Sequence, residues 1–147
     1  MMEPGLTAIV DNKFIREVDR ELQRAERYSI FVSLTVLDLS FLGNKGFSFS
    51  PADLTKLSAL IQSKLRTIDY VSPVGENQLG LLFPETSRQG AEIVIRRIAD
   101  LVKDYLEESI ESKIEDIIPI EVASYPDASG ARSVKDFLSD WSEKHRN

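Results

Sequence analysis

At 147 residues, with 42% apolar and 29% charged side chains, the chain is expected to form one domain, residues 1–147, around one core. The absence of cysteine excludes a disulfide framework, a thiolate metal site and a cysteine nucleophile, and a net charge of −6 excludes the general basic face of a nucleic-acid binder. Any anionic ligand must therefore meet a local cluster of arginines. No apolar run approaches the roughly 20 residues that span a bilayer, and Met1-Met2-Glu3-Pro4-Gly5 lacks the basic start and apolar core of a signal peptide, so no membrane partner is expected.

Residues 11–28 carry Ile15, Val18, Leu22 and Ala25 on a charged background, a helical stripe. Residues 29–39 are β-branched and apolar almost throughout, which predicts a central strand covered on both faces. Ser50-Pro51 supplies a cap and a first-turn proline, and Leu54, Leu57, Ile61 and Leu65 follow on one helical face. From Arg66 to Thr86 an apolar run enters a tight polar turn and leaves as a second apolar run, the pattern of a hairpin with Gly75 to Gln78 at its tip. Thr86 or Ser87 then opens a long helix with Ile95, Ile98, Val102 and Leu106 inward. The highly charged residues 107–116 predict its end and a solvated connection. Residues 117–125 read as a strand, with Pro119 implying an edge or a bulge. Residues 134–144 read as a short terminal helix. The order α-β-α-β-β-α-β-α predicts a mixed α/β (α+β) sandwich whose sheet carries helices on one face.

The hairpin, with its leucine-rich strand running into Pro84-Glu85-Thr86, resembles the central hairpin of GGDEF domains, the bacterial diguanylate cyclases. Leu6-Thr7-Ala8-Ile9, Glu21-Leu22-Gln23-Arg24-Ala25, Val36-Leu37-Asp38-Leu39, residues 91–98 and Ala123-Ser124-Tyr125-Pro126 resemble further family segments in the family's order. The resemblance implies the ferredoxin-like palm of nucleotidyl cyclases, a central, mostly antiparallel sheet flanked by helices.

The family condenses two GTP molecules with two magnesium ions, held by an Asp after the first strand and an acidic residue in the turn. Here the turn reads Gly75-Glu76-Asn77-Gln78-Leu79. Asp38 aligns with the first ligand, but Asn77 takes the place of the turn carboxylate, and a neutral amide is a poor ligand for a hard cation. Glu76 fills the second glycine position, where a side chain crowds approaching phosphates. Ser40 stands in place of a second Asp. The segment Phe41 to Ser50 lacks the Asn-Asp and Gly-His pairs that grip guanine and ribose in the family. The C-terminus lacks the family's phosphate-contacting lysine. Asp38 then reads as a vestigial ligand position, a strand-end carboxylate capping a turn, and the expectation is a degenerate domain with no catalytic residue, no metal and no cofactor.

The family's product, cyclic di-GMP, also binds an inhibitory site built on Arg-x-x-Asp upstream of the turn. Arg66-Thr67-Ile68-Asp69 matches it, with Asp69 six residues before Gly75. Arg97 fits the site's second arginine, from the helix after the hairpin. Arg24, fourteen residues before Asp38, fits the arginine that a neighbouring domain donates. Guanidinium forks suit phosphate and the guanine Hoogsteen edge, and a carboxylate accepts from base nitrogens. The structural alternative gives Arg66 a helix-end role, Asp69 a capping role at the next strand, and Arg24 and Arg97 solvated positions.

His145 is expected in solvent, and Ser33, Thr35 and Ser58 have no histidine placed to activate them. Trp141 is expected to pack or to join an interface, and Phe47 with Phe49 to offer an exposed contact surface. Together these readings imply a cytoplasmic bacterial regulatory domain without cyclase activity. Its first partner is cyclic di-GMP through Arg66, Asp69, Arg97 and Arg24. The alternatives are a protein-interaction or homodimerisation module and, more remotely, a GTP-binding allosteric domain.

Overall fold

The computed structural model describes residues 12–46, 49–127 and 131–144. Residues 6–9, Phe47 and His145 lie outside the described residues. The elements are α1 (Lys13–Tyr28), β1 (Val32–Asp38), a 3-10 helix (Ser40–Lys45), α2 (Pro51–Gln62), β2 (Tyr70–Gly75), β3 (Gln78–Pro84), α3 (Arg88–Ile110), β4 (Pro119–Tyr125) and α4 (Val134–Lys144). This is the order read from the sequence. The four strands form one sheet in the order β2-β3-β1-β4, with every neighbouring pair antiparallel.

Local chemistry sets the boundaries. The Asn12 side chain accepts from the Ile15 backbone N–H at 3.2 Å and starts α1, while its amide donates to the Val74 carbonyl at 3.1 Å and ties that start to β2. Ser29, expected in the first strand, instead closes α1 in the left-handed conformation, φ 56°. The strand therefore begins at Val32. Ser50 and Asp53 form a reciprocal capping box ahead of α2, and Ser87 caps α3 by accepting from Gly90. Pro119 opens edge strand β4, and the register shifts opposite Val36 and Leu37, as the proline implied.

Two expectations need correction. Helices cover both faces of the sheet, not one. Phe14, Val18 and Leu22 of α1 and Val134 and Phe137 of α4 pack with Val32, Leu34, Val36, Leu82 and Ala123. Leu54, Leu57 and Ile61 of α2 and Ile95, Ile98 and Val102 of α3 pack with Leu37, Leu79, Leu81 and Phe83 on the opposite face. Because strand side chains alternate, the six consecutive buried residues of β1 present apolar or small groups to both sides, and each side needs its own layer. Each fully buried Leu, Ile or Phe contributes roughly 1.5–3 kcal/mol through the area removed from water. The charged 107–116 stretch is the second correction. The helix continues to Ile110 and ends at Glu111 with φ 54°, and the connection buries Ile114 and Ile117 in the α2/α3 core. Glu107 stays in the helix and accepts from the Ile114 backbone N–H at 2.8 Å, tying the connection back.

Phe49 is half-buried against the same core, not an exposed contact surface. Leu65, beyond the end of α2, still packs on it. Trp141 packs in the α1/α4 layer, its ring centroid 6.2 Å from that of Phe137. No described helix is long and apolar enough to cross a membrane.

Candidate functional site

The hairpin tip sits beside the end of β1. Asp38 pairs in register with Gln78, and the Leu39 backbone N–H donates to the Asn77 carbonyl at 2.8 Å. Asn77 holds φ at 58°, a left-handed conformation that asparagine tolerates, and Glu76 beside it is exposed. One oxygen of Asp38 accepts from the Ser40 backbone N–H at 3.0 Å, the turn-capping arrangement of a strand-end carboxylate. Two magnesium ions would need several carboxylate oxygens here. The side-chain donors at the tip are Asp38, with one oxygen accepting from Ser40, the amide of Asn77 and the exposed carboxylate of Glu76. Among the described residues no three His, Cys, Asp or Glu side chains gather to hold a metal ion. This donor set does not fit the pair of ions. Ser33 and Thr35 use their hydroxyls on the Thr86 and Glu121 carbonyls.

A second site lies at the opposite end of β3. The turn after α2, the end of β3 and the first turns of α3 enclose a cleft of about 440 Å3 lined by Arg66, Asp69 and Arg97 together with Lys64, Glu85 and Thr86. Three of the four residues expected to act together are thus brought to one place. Asp69 is buried, 6% exposed, and Arg66 neutralises it through both oxygens, from Nε at 3.2 Å and Nη2 at 2.8 Å. Asp69 also accepts from the Arg66 backbone N–H at 2.9 Å, which closes the turn. The Arg66 guanidinium continues across the gap to the Pro84 carbonyl at 2.8 Å and to the Thr86 hydroxyl, pinning the turn to the end of β3. Its hydrogen bond to Asp69 raises its pKa above the ordinary arginine value, so its charge is fixed at every relevant pH. Half of the Arg66 side chain remains exposed. Arg97 is exposed, and neither it nor Lys64 forms an ion pair with another described residue.

Arg24 does not line this cleft. It projects from α1 to Glu85, Nη2 to Oε2 at 2.8 Å, and to Glu21 on its own helix at 3.3 Å. The hydrogen bond that Arg24 donates to Glu85 is the largest influence raising its pKa. Glu85 itself sits at φ 55°, with its backbone N–H donating to the Phe31 carbonyl at 2.9 Å. In the sequence Pro84-Glu85-Thr86 marks only a strand end, yet the fold makes Glu85 and Thr86 the rim of the cleft. No local pattern signals this, because the contact between Arg24 and Glu85 spans 61 residues.

No protein-family model matches the sequence, and no curated protein matches it. Solved structures do. The diguanylate cyclase SiaD from Pseudomonas aeruginosa, in complex with its activator SiaC, is similar at 21% identity and a TM-score of 0.60, over 89% of this chain and 54% of that chain. The GGDEF domain of DgcB from Caulobacter crescentus, in complex with c-di-GMP, is similar at 18% identity and a TM-score of 0.60, over 90% of this chain and 77% of that one. The active GGEEF domain of a diguanylate cyclase from Vibrio cholerae is similar at 20% identity and a TM-score of 0.57, over 84% and 80%. The chain spans only about half the length of the SiaD chain. What is shared at these identities is the fold, and the chain has the fold of a GGDEF domain.

Proposed function

We propose that this chain is a regulatory domain of a bacterial cytoplasmic signalling system, one that has lost cyclase chemistry and binds cyclic di-GMP in the cleft of Arg66, Asp69 and Arg97. One observation supports the reading above the others. Residues from the α2–β2 turn and from α3, singled out by their resemblance to the family's inhibitory site, line one cleft with an exposed guanidinium face. The c-di-GMP complex of DgcB, a protein of the same fold, favours the same ligand class. Loss of catalysis follows from the chemistry of the tip, where Asn77 offers an amide in place of a carboxylate and Asp38 spends an oxygen on the Ser40 N–H. As the resemblance casts it, Arg24 of a second copy would complete the ligand shell, so binding would promote dimers.

Calorimetry of the purified chain against cyclic di-GMP and GTP tests the reading. Cyclic di-GMP is expected to give saturable heat and GTP none. Arg66→Ala removes a charge-assisted contact worth roughly 1.5–3 kcal/mol, a tenfold or greater loss of affinity. Absence of heat at high micromolar cyclic di-GMP sinks it.

A second reading, a nucleotide-free interaction module, has its own support. Ile118, 73% exposed, lines a groove of about 620 Å3 between α3 and β4, and Ile120 of β4 is 56% exposed. The activator complex of SiaD shows a protein of this fold with a protein partner. A domain silent in calorimetry, whose self-association or partner binding is lost in Ile118→Lys, would favour it.

A further inference from the structure

We propose that Glu85 sets the affinity of the cleft for anions, and that Arg24 of the same chain serves that cleft by neutralising Glu85. The inference rests on the reading of the cleft as an anion site and adds its internal control.

The charges on the cleft wall explain why such a control matters. Lys64, Arg66 and Arg97 face Asp69 and Glu85. Asp69 is consumed by Arg66, through two side-chain hydrogen bonds and burial. What an incoming anion meets is therefore Lys64, Arg97 and the outward part of Arg66, opposed by a single carboxylate that is half-exposed, Glu85. Glu85 lies close enough to Arg66 to contribute to the field at its guanidinium. A carboxylate in that position repels a phosphodiester and competes with it for Arg66.

Arg24 answers that repulsion from outside the wall. Its Nη2 lies 2.8 Å from Glu85 Oε2 and draws the carboxylate's charge toward α1. The backbone of Glu85 is held by its hydrogen bond to Phe31, so the side chain starts from a fixed point at the rim. As an exposed ion pair, Arg24–Glu85 is a poor contributor to folding stability. Its effect falls on the ligand.

The test is a set of variants measured by calorimetry with cyclic di-GMP: wild type, Arg66→Ala, Glu85→Gln, Arg24→Ala and Arg24→Ala/Glu85→Gln. Glu85→Gln is expected to bind about two- to fivefold tighter than wild type and Arg24→Ala about two- to fivefold weaker, the scale of an exposed charge interaction. The double variant is expected to bind more tightly than Arg24→Ala, because the unneutralised carboxylate is gone, with thermal midpoints unchanged in the Glu85 and Arg24 variants. The inference is overturned if Glu85→Gln binds no tighter, or if the double variant stays as weak as Arg24→Ala, the result expected were Arg24 only a donor to a second copy. Those failures leave wild-type binding and its loss in Arg66→Ala intact. A wild type without heat, or an undiminished Arg66→Ala, overturns the anion-site reading and this inference with it.

Discussion

Gly80 stands in the middle of β3, where a methyl group would come within 2.7 Å of the Phe14 ring and of Val74 Cγ1. Phe14 is fully buried and stacks near Tyr70, with ring centroids 6.3 Å apart, so the ring has nowhere to retreat. The glycine is there to let α1 approach the sheet. Gly80→Ala should cost about 1–3 kcal/mol by overpacking, measured as a lower urea midpoint with an unchanged slope. A smaller ring-free side chain opens part of that space, so Phe14→Leu combined with Gly80→Ala should be less destabilised than the two single losses added together. Additive losses would mean that the helix shifts freely and the close approach carries no energetic weight.

At the scale of elements, the strongest local signals in the sequence were those with a short physical cause. Ser50-Pro51 followed by Asp53 is a capping box in both sequence and structure, and Gly75 to Gln78 turns the hairpin where its polarity put the turn. What local pattern left out needed distance. The apolar stripes of α1 and α4 say that each helix packs, but not on which face of the sheet, and so the second layer went unread. Charged Glu107 and Glu108 suggest a helix end, yet Glu108 points to solvent from within the helix and Glu107 is held by the Ile114 backbone N–H. In the cleft, Arg66 and Asp69 were legible because they share one turn, while Glu85 gains its place from long-range contacts with Phe31 and with Arg24 of α1. The α2 cap also gives a pH dependence. The Ser50 backbone N–H, donating to Asp53 at 3.0 Å, is the main cause holding that carboxyl below its ordinary pKa. A group depressed in the folded state contributes stability that is present above its unfolded pKa and lost as pH falls through the folded one. Ser50→Ala, which removes the cap oxygen that accepts from the Asp53 backbone N–H, should cost about 1 kcal/mol. Asp53→Asn should flatten the fall of stability below about pH 4, followed by thermal midpoint against pH. An unaltered acid limb in Asp53→Asn would refute the assignment.

At the scale of the whole molecule, two apolar layers lie on opposite faces of one sheet, and β1 belongs to both. Leu34 and Val36 pack into the α1/α4 layer, and Leu37 packs into the α2/α3 layer. A layer that lost its packing would expose one side of β1 and loosen the strand that the other layer rests on. The two layers are therefore expected to unfold as one cooperative unit. The only tryptophan, Trp141, packs beside Phe137 in the α1/α4 layer and reports on that layer alone. Leu57 of α2 is fully buried in the opposite layer, and Leu57→Ala should cost about 2–5 kcal/mol. Urea unfolding followed by Trp141 fluorescence and by far-ultraviolet circular dichroism should give coincident midpoints in the wild type. In Leu57→Ala both midpoints should fall together, although the substitution is a sheet's thickness away from the tryptophan. If the fluorescence midpoint stays at its wild-type value while the dichroism midpoint drops, the layers melt separately and β1 does not couple them.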